Sequence, residues 1–410
     1  MLSLTEALDR LRAGTTPLVE TETVSTFEAL GRVLAVEVRS PLDVPPHDNT
    51  SMDGYALRVA DVPAVGTVLP VGQRIAAGQV GAVLAAGTAA RIFTGAPVPT
   101  GADAVVPQEQ CEALDGGAVR VNAVPPAGQW IRRRGEDVCA GSNVLPRGSR
   151  LTPQALGLAA SVGAAMLTVL RRPRVALFST GDELVMPGET LPDRMPPGAI
   201  YNANRYTLRA LLQAAGCEVS DLGIVPDRLD ATREALRSAA AGHDLILTSG
   251  GVSVGEEDHL KPAAQAEGRL DLWQIAIKPG KPLAFGAVRR GDDGSGGEAL
   301  LIGLPGNPVS SFVTFLLAVR PVLRALQGLP AEEPAGLMLR ADFDWPKPDA
   351  RREFLRARRN ADGGLELFPN QSSGVLTSAV WAEGLIDNPP GQAIARGDAV
   401  RFVPFSAWMS

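Results

Sequence analysis

Apolar residues at the start of the chain recur at helical spacing. Leu4, Leu8 and Leu11 follow the capping-box signature Ser3-Leu-Thr-Glu6, and Gly14 stops the run, which predicts a short helix. Ser25-Thr-Phe-Glu28 repeats the signature before a second short helix, and Val33 to Val38 reads as a strand. Periodicity lapses over 41–54, where prolines and small polar residues mark a loop closed by Asp53-Gly54. From Gly66 to Val124 short β-branched runs alternate with glycine and proline. Asp115-Gly-Gly between two of them is a hairpin signal, so this stretch predicts a β-rich module. Thr152-Pro153 then starts a small-residue helix ending near Gly163. Helices and a strand on both sides make the β-rich module an insertion.

From Arg174 the rhythm becomes strand, helix, strand. Val175 to Ser179, Val219 to Val225, Leu245 to Thr248 and Ala299 to Leu304 predict strands. Asn204 can cap a helix through Ala215 that Gly216 ends, and Asp230 can cap another from Ala231 to Ala241. Such alternation predicts a parallel sheet covered on both faces. Leu272 to Ile277 is a further strand-like run leading into Lys278-Pro-Gly-Lys281, and Gly291 to Gly297 reads as a hairpin tip. Asn307-Pro308 opens a helix that runs through Val319 and Pro321 toward Gly328. Beyond about Leu329 the pattern turns β again: Glu353-Phe-Leu-Arg-Ala-Arg alternates, Gly363-Gly364 turns, and Leu365 to Phe368 and Ala399 to Phe405 continue. The fold class is thus multidomain α/β plus β. A helical and strand domain (1–45 and 141–173) carries an inserted β-rich domain (46–140); a central parallel-sheet α/β domain (174–328) and a C-terminal β domain (329–410) follow.

Composition narrows the function classes. At 410 residues and 45% hydrophobic content the chain fills more than one core. A net charge of −6 argues against a nucleic-acid partner, because phosphate backbones are bound by accumulated Lys and Arg, and 5% aromatics leave few stacking platforms. Cys111, Cys139 and Cys217 are isolated, with no zinc spacing, as expected of free thiols in a reducing cytoplasm. Glu6 and Asp9 disfavour a secretory signal, and the longest mainly apolar run, Leu156 to Leu170, contains two glycines and falls short of the ~20 residues of a membrane span. No membrane partner is expected.

Candidate chemistry gathers at the strand ends of the α/β domain. Thr180-Gly-Asp-Glu183 follows the first strand, Pro226-Asp227 the second, and Ser249-Gly-Gly251 with Ser253 and Glu256-Glu257-Asp258 the third. Acids at the carboxyl edge of a parallel sheet lie where such folds bind ligands, and they suit Mg²⁺, a hard cation that takes a few carboxylates, waters and phosphate oxygens. Ordinary loop acids are the alternative for each alone. At the fourth junction, Gly303-Leu-Pro305-Gly-Asn307-Pro-Val-Ser310, unpaired first-turn N–H groups and the Ser310 hydroxyl suit an anion, although a well-built helix start explains the residues too. Lys278 and Lys281 flank a Pro-Gly turn that holds compact positive charge; lysines at turns are also commonly just solvated. Asp53 reads equally as a turn aspartate bonded to its own backbone, and Arg132-Arg-Arg134 as a solvated cluster or an anion grip.

Seven motifs in order complete the picture: Ser51-Met-Asp-Gly-Tyr-Ala56, Thr94-Gly-Ala-Pro-Val-Pro99, Arg132-Arg-Arg-Gly-Glu-Asp137, Phe178-Ser-Thr-Gly-Asp-Glu-Leu184, Ser249-Gly-Gly-Val-Ser-Val-Gly255, Ile277-Lys-Pro-Gly-Lys-Pro282 and Gly303-Leu-Pro-Gly-Asn-Pro-Val-Ser310. Across nearly the whole chain they resemble the molybdopterin molybdenumtransferase family, the MoeA and gephyrin E-domain group. The resemblance implies a homodimer of four-domain subunits whose α/β domain binds molybdopterin. It implies insertion of molybdate into adenylylated molybdopterin with Mg²⁺-dependent release of AMP, in exchange with a molybdopterin adenylyltransferase and with recipient molybdoenzymes. On the family motifs Glu183, Asp227 and Asp258 are the acidic metal positions, with Asp53 and Asp137 as further catalytic acids. Lys278, Lys281, Thr94, Ser249, Gly250, Gly251, Ser253, Pro305, Asn307, Ser310, Arg351, Ser372 and Ser373 make the catalytic cations and the anion-binding face. Ala350-Arg-Arg-Glu-Phe departs from the usual Gly-Arg start, leaving Arg351 and Arg352 both open. A molybdopterin adenylyltransferase shares the α/β domain type but lacks the additional domains, and a non-enzymatic scaffold of the gephyrin kind is the other rival.

Overall fold

A computed structural model describes residues 1–252, 259–291 and 296–409. The chain divides into two compact units, Thr23–Val169, and Met1–Glu22 with Leu170–Ser410.

The first unit holds a six-stranded sheet in the order Ala104–Pro107, Gly54–Leu57, Ala89–Ile92, Thr67–Ile75, Ala118–Val121, Cys111–Leu114. The hairpin expected at Asp115-Gly-Gly joins its last two strands, with Gly116 and Gly117 at φ 83° and 79°, conformations that glycine adopts without steric cost. A separate core of Leu34, Val38, Leu145, Leu151, Leu167 and Val169 packs beside the helix Pro153–Ser161. Two expected elements are weaker than their patterns. Ser25-Thr-Phe-Glu28 makes only a 3₁₀ turn, Thr26–Glu28, and Val33 to Val38 is not one strand but two isolated bridges at Val33 and Leu34 before the short strand Val38–Arg39.

In the second unit the parallel rhythm is realised as a mixed sheet. Strands β1 (Arg174–Thr180), β2 (Glu218–Val225), β3 (Leu245–Ser249), β4 (Gly268–Gln274), β5 (Pro282–Arg289) and β6 (Glu298–Leu304) lie in the order β2-β1-β3-β6-β5-β4. The first four in that order are parallel, whereas β5 runs antiparallel to both its neighbours, β6 and β4. Segments 275–281 and 290–297 are too short for the crossover that parallel neighbours need, so these strands turn back as hairpins. The tip at 292–295 lies outside the described residues.

Successive residues of the parallel strands serve opposite faces. Ala176, Phe178, Ile246 and Leu301 pack with Leu236 and Leu260 on one side. Val175, Leu177, Leu247 and Ile302 pack on the other with Leu208, Val313 and Leu317, and with Leu4, Ala7 and Leu11 of the N-terminal helix Leu4–Ala13, whose Ser3–Glu6 capping box is formed. Each buried Val, Leu, Ile or Phe among them contributes about 1.5–3 kcal/mol relative to exposure.

The helix Pro308–Leu326 is long and apolar enough to span a bilayer, but 78% of its 18-residue apolar window is buried, as in a core helix. Its middle, Phe315–Val319, is a π-turn ahead of Pro321, which has no N–H for the regular helical bond.

The C-terminal sheet runs Ile277–Lys278, Arg352–Arg359, Gly384–Asn388, Ala399–Pro404, Leu337–Arg340. Its first member comes from the turn after β4 and pairs in parallel with Arg352 and Glu353. Residues 353–357 do not alternate but are all buried, so the strand Arg352–Arg359 is covered on both faces there. Phe405 begins a short helix, Phe405–Met409, and stacks edge-on against Phe312 at 5.3 Å.

Candidate functional site

A cleft of about 410 Å³ opens at the carboxyl ends of β1, β3 and β6, lined among others by Thr180, Glu183, Asn202, Ser249, Gly250 and Asn307. Its floor is set by backbone geometry. The Ser179 and Ser249 hydroxyls meet at 3.1 Å and tie β1 to β3 at the point where both strands end. Gly250 then turns at φ 89°, where a Cβ would lie 2.6 Å from the Thr180 carbonyl oxygen, and Gly251 follows at φ 66°. Only glycine permits so close an approach. Gly181 serves the same end, since a Cβ there would stand 2.6 Å from Glu183 Oε2; the carboxylate folds back over its own loop and remains exposed at the cleft.

The helix start beside the cleft differs from expectation. Asn202, not Asn204, caps the helix Ala203–Ala214, accepting from Arg205 N at 3.1 Å. Asn204 instead donates to Gly306 O at 2.8 Å and joins two strand-end loops. Likewise Arg228, not Asp230, precedes the helix Leu229–Gly242, leaving Asp230 in its first turn. Asp227 N lies 3.4 Å from Asp182 Oδ1, drawing the second junction to the first. Of the expected metal positions Glu183 and Asp227 are thus at this sheet edge, while Asp258, with Ser253, Glu256 and Glu257, lies outside the described residues. Among the described residues no three acidic, histidine or cysteine side chains converge into a metal cage.

At the fourth junction Asn307 occupies the cap position but its side chain makes no capping bond. Its carbonyl accepts from Ser311 N, the Ser311 hydroxyl donates to Pro305 O, and Ser310 is only 5% exposed. Val309 N donates to Ser373 O at 3.0 Å, so one first-turn N–H expected to be free for an anion is already engaged.

The cations form a second cluster. Lys278 Nζ sits 3.2 Å from Glu353 Oε1 and 3.4 Å from Asp349 Oδ2. Glu353 is wholly buried, and Trp345 Nε1 donates to its Oε2 at 2.8 Å. Arg351 grips Asp349 with two bonds of 2.9 Å, which holds that carboxyl well below the usual range. Arg352 is spent on Asp387, at 2.6 Å for each of two bonds, so of the two arginines Arg351 is the one beside Lys278. Lys281 is exposed at the far end of the turn, where Gly280 (φ 109°) packs so close to Thr314 that a Cβ would lie 2.3 Å from Oγ1. Ser372 and Ser373 stand in the neighbouring loop. Arg356, buried and lowered by that burial to about 10, donates to Ser372 O at 3.3 Å.

In the other unit Asp53 Oδ1 accepts from Thr94 N at 2.8 Å and Thr94 Oγ1 at 2.7 Å, a contact across 41 residues rather than a local turn. The Thr94 N–H, aided by its hydroxyl, lowers the Asp53 pKa. Asp137 is exposed. The arginine cluster is paired in part: Arg133 with Asp48 at 2.7 Å and Arg134 with Asp43 at 2.5 Å. All three cysteines are free thiols, and burial pushes Cys217 to about 12.

Asp349, Glu353 and Asn202 do not stand out in the sequence as site residues, whereas Arg356 does, among the arginines of the C-terminal domain. Glu353 alone carried a signal, a carboxylate inside an apolar strand.

Three family regions match in order: the MoeA N-terminal region (domain I and II) over residues 2–163, a "Probable molybdopterin binding domain" over 176–325, and the MoeA C-terminal region (domain IV) over 338–405. The chain is 40% identical to a molybdopterin molybdenumtransferase of Haemophilus influenzae over 99% of both chains. It is 39% identical to molybdopterin molybdenumtransferase 2 of Mycobacterium tuberculosis over 90% of both. The crystal structure of a molybdopterin biosynthesis moeA protein from Pyrococcus horikoshii superposes with a TM-score of 0.83 at 28% identity, covering 98% of this chain and 100% of that one. With the cleft lying inside the molybdopterin-binding segment, and the sheet beside it inside the C-terminal one, the chain belongs to the molybdopterin molybdenumtransferase family.

Proposed function

We infer that this protein inserts molybdate into adenylylated molybdopterin, with Mg²⁺-dependent cleavage of the phosphoanhydride and release of AMP. It is a transferase of molybdenum cofactor biosynthesis, and molybdenum insertion is its reaction. The observation that carries the finer reading is the cleft at the carboxyl ends of the parallel strands, with Glu183 at its mouth and glycine backbone at its floor.

Two anions must be brought together, so the protein has to offset their repulsion. Lys278, Lys281 and Arg351 supply positive charge, and Ser249, Ser310, Ser372 and Ser373 supply hydroxyl groups. Gly250 and Asn307 line the cleft, with Gly251 and Pro305 close to them in sequence, and this is the wall to which we assign the pterin phosphate. Glu183 and Asp227 are hard oxygen donors and fit the preference of Mg²⁺ for one or two carboxylates alongside substrate oxygens. Glu183 and Asp227 would hold such an ion, which would supply charge neutralisation for the leaving phosphate. In the other unit Asp53, Thr94 and Asp137 are candidates on the family motifs alone, and no protein nucleophile is needed. We assign the protein to the cytoplasm as a homodimer that receives its substrate from a molybdopterin adenylyltransferase and passes its product to molybdoenzymes.

AMP release from adenylylated molybdopterin, measured with and without molybdate and Mg²⁺, tests the reading. Release that requires both supports it. Turnover of ATP with pyrophosphate release would favour adenylyl transfer instead, and no release from a folded dimer would favour a scaffold.

A further inference from the structure

Lys278 and Arg351 converge on one carboxylate. Lys278 Nζ is 3.4 Å from Asp349 Oδ2, and Arg351 lies 2.9 Å from each Asp349 oxygen through Nε and Nη2. Asp349 therefore fills the fork and the ammonium contact with two oxygens, the arrangement in which guanidinium and ammonium groups take an oxyanion.

The second carboxylate of the cluster is fixed. Glu353 lies in the strand Arg352–Arg359, is wholly buried, and accepts from Trp345 Nε1 at 2.8 Å and Asn388 Nδ2 at 3.4 Å. Asp349 lies outside any strand or helix and its side chain is 20% exposed. Its tie to its own segment is the local bond from Arg351 N to Oδ1 at 3.0 Å. Of the two acids, Asp349 is the one whose side chain can turn away without unmaking the sheet.

Charge gives the reason it must. Lys278 and Arg351 carry two positive charges and Asp349 and Glu353 two negative ones, so the cluster is neutral as it stands. A dianion added to a neutral cluster meets no net attraction, and it also meets the Asp349 charge at close range. The grip of Arg351 keeps Asp349 ionised through the neutral range, so protonation does not relieve this repulsion.

We propose that Asp349 is an internal competitor for the substrate oxyanion: it holds Lys278 and Arg351 together in the empty site, and molybdate binds by displacing it. The inference rests on reading Lys278 and Arg351 as the oxyanion face.

Binding of inorganic molybdate to the full chain, measured by equilibrium dialysis or calorimetry, tests it with Asp349→Asn and Lys278→Met beside the parent. Asparagine keeps the Oδ1 acceptor for Arg351 N and so the local turn. Asp349→Asn is expected to bind molybdate roughly tenfold more tightly, the scale of one unit charge removed from contact range at a protein surface, while Lys278→Met binds it more weakly. If Lys278→Met weakens binding and Asp349→Asn does not tighten it, Asp349 positions the cations rather than competing, and the proposal is overturned while the oxyanion face stands. If neither substitution moves the affinity, the oxyanion face falls, and the proposal with it. Asp349→Ser, which keeps a short acceptor for the turn, repeats the comparison should the asparagine variant fail to fold.

Discussion

Val309 donates its backbone N–H to the carbonyl oxygen of Ser373 at 3.0 Å, binding the first turn of the core helix to a loop of the C-terminal sheet. That loop is held in turn by Arg356. Gln371 accepts from Arg356 N at 2.9 Å and donates to Arg356 O at 3.0 Å, and the guanidinium reaches Ser372 O. Residues 371 and 372 are thus tied to the strand Arg352–Arg359 at Arg356, through its backbone and its guanidinium.

Arg356 is 1% exposed and donates to Ser378 Oγ at 3.1 Å and Phe354 O at 3.2 Å. Arg356→Ala would open a cavity and leave these acceptors unpaired. The expected cost is roughly 3–5 kcal/mol, read as a lowered denaturant midpoint at unchanged slope. An unshifted midpoint would show that the loop is held by other contacts.

Gly250→Ala places a methyl group 2.6 Å from Thr180 O at a backbone φ of 89°. The floor of the cleft has to move, so AMP release should fall steeply, with a stability loss of about 1–3 kcal/mol from the strained backbone. Substrate binding and turnover indistinguishable from the parent would remove this loop from the site.

Glu183 is exposed and its side chain is part of no core, so Glu183→Gln should leave the melting temperature nearly unchanged. AMP release at fixed Mg²⁺ should drop roughly 100-fold or more, in line with the loss of metal-assisted charge neutralisation. Full turnover by the variant would exclude Glu183 from the metal position.

Asp349 gives a dependence on acidity with a definite sign. Its folded pKa is depressed by the Arg351 fork, so its ionised form contributes stability that is complete above the unfolded value of about 4 and is lost as the pH falls through the lower folded value. Parent and Asp349→Asn melting curves should therefore differ by a constant amount at neutral pH and converge only in strong acid. A gap that closed near pH 6 would mean that another group governs the pairing.

Much of this was legible in the chain. The capping box at Ser3 and Glu6, the hairpin at Gly116-Gly117 and the parallel core strands follow from local rules, and the structure repeats them. Val33 to Val38 misled because its apolar residues serve separate bridges, and Asn204 because Asn202, two residues earlier, takes the cap. The reversed strand β5 turns on connection length, which residue type does not reveal. At the site, Glu183 and the glycine floor were readable from their motifs. The partners of Lys278 were not, because Glu353 and Asp349 lie more than 70 residues away and meet it only through sheet pairing.

That pairing has a consequence for how the protein fails. Ile277 and Lys278 are registered against Arg352 and Glu353, so the position of the ammonium group depends on a closure between distant parts of the chain. Closures of this kind carry the entropic penalty of a long loop. Although Ile277 and Glu353 are buried, the Lys278 side chain is 41% exposed, so its contacts open at lower free energy than the buried parallel core. On warming, molybdate binding should therefore be lost while far-ultraviolet circular dichroism is still native, because the oxyanion face frays before the sheet that carries the cleft melts.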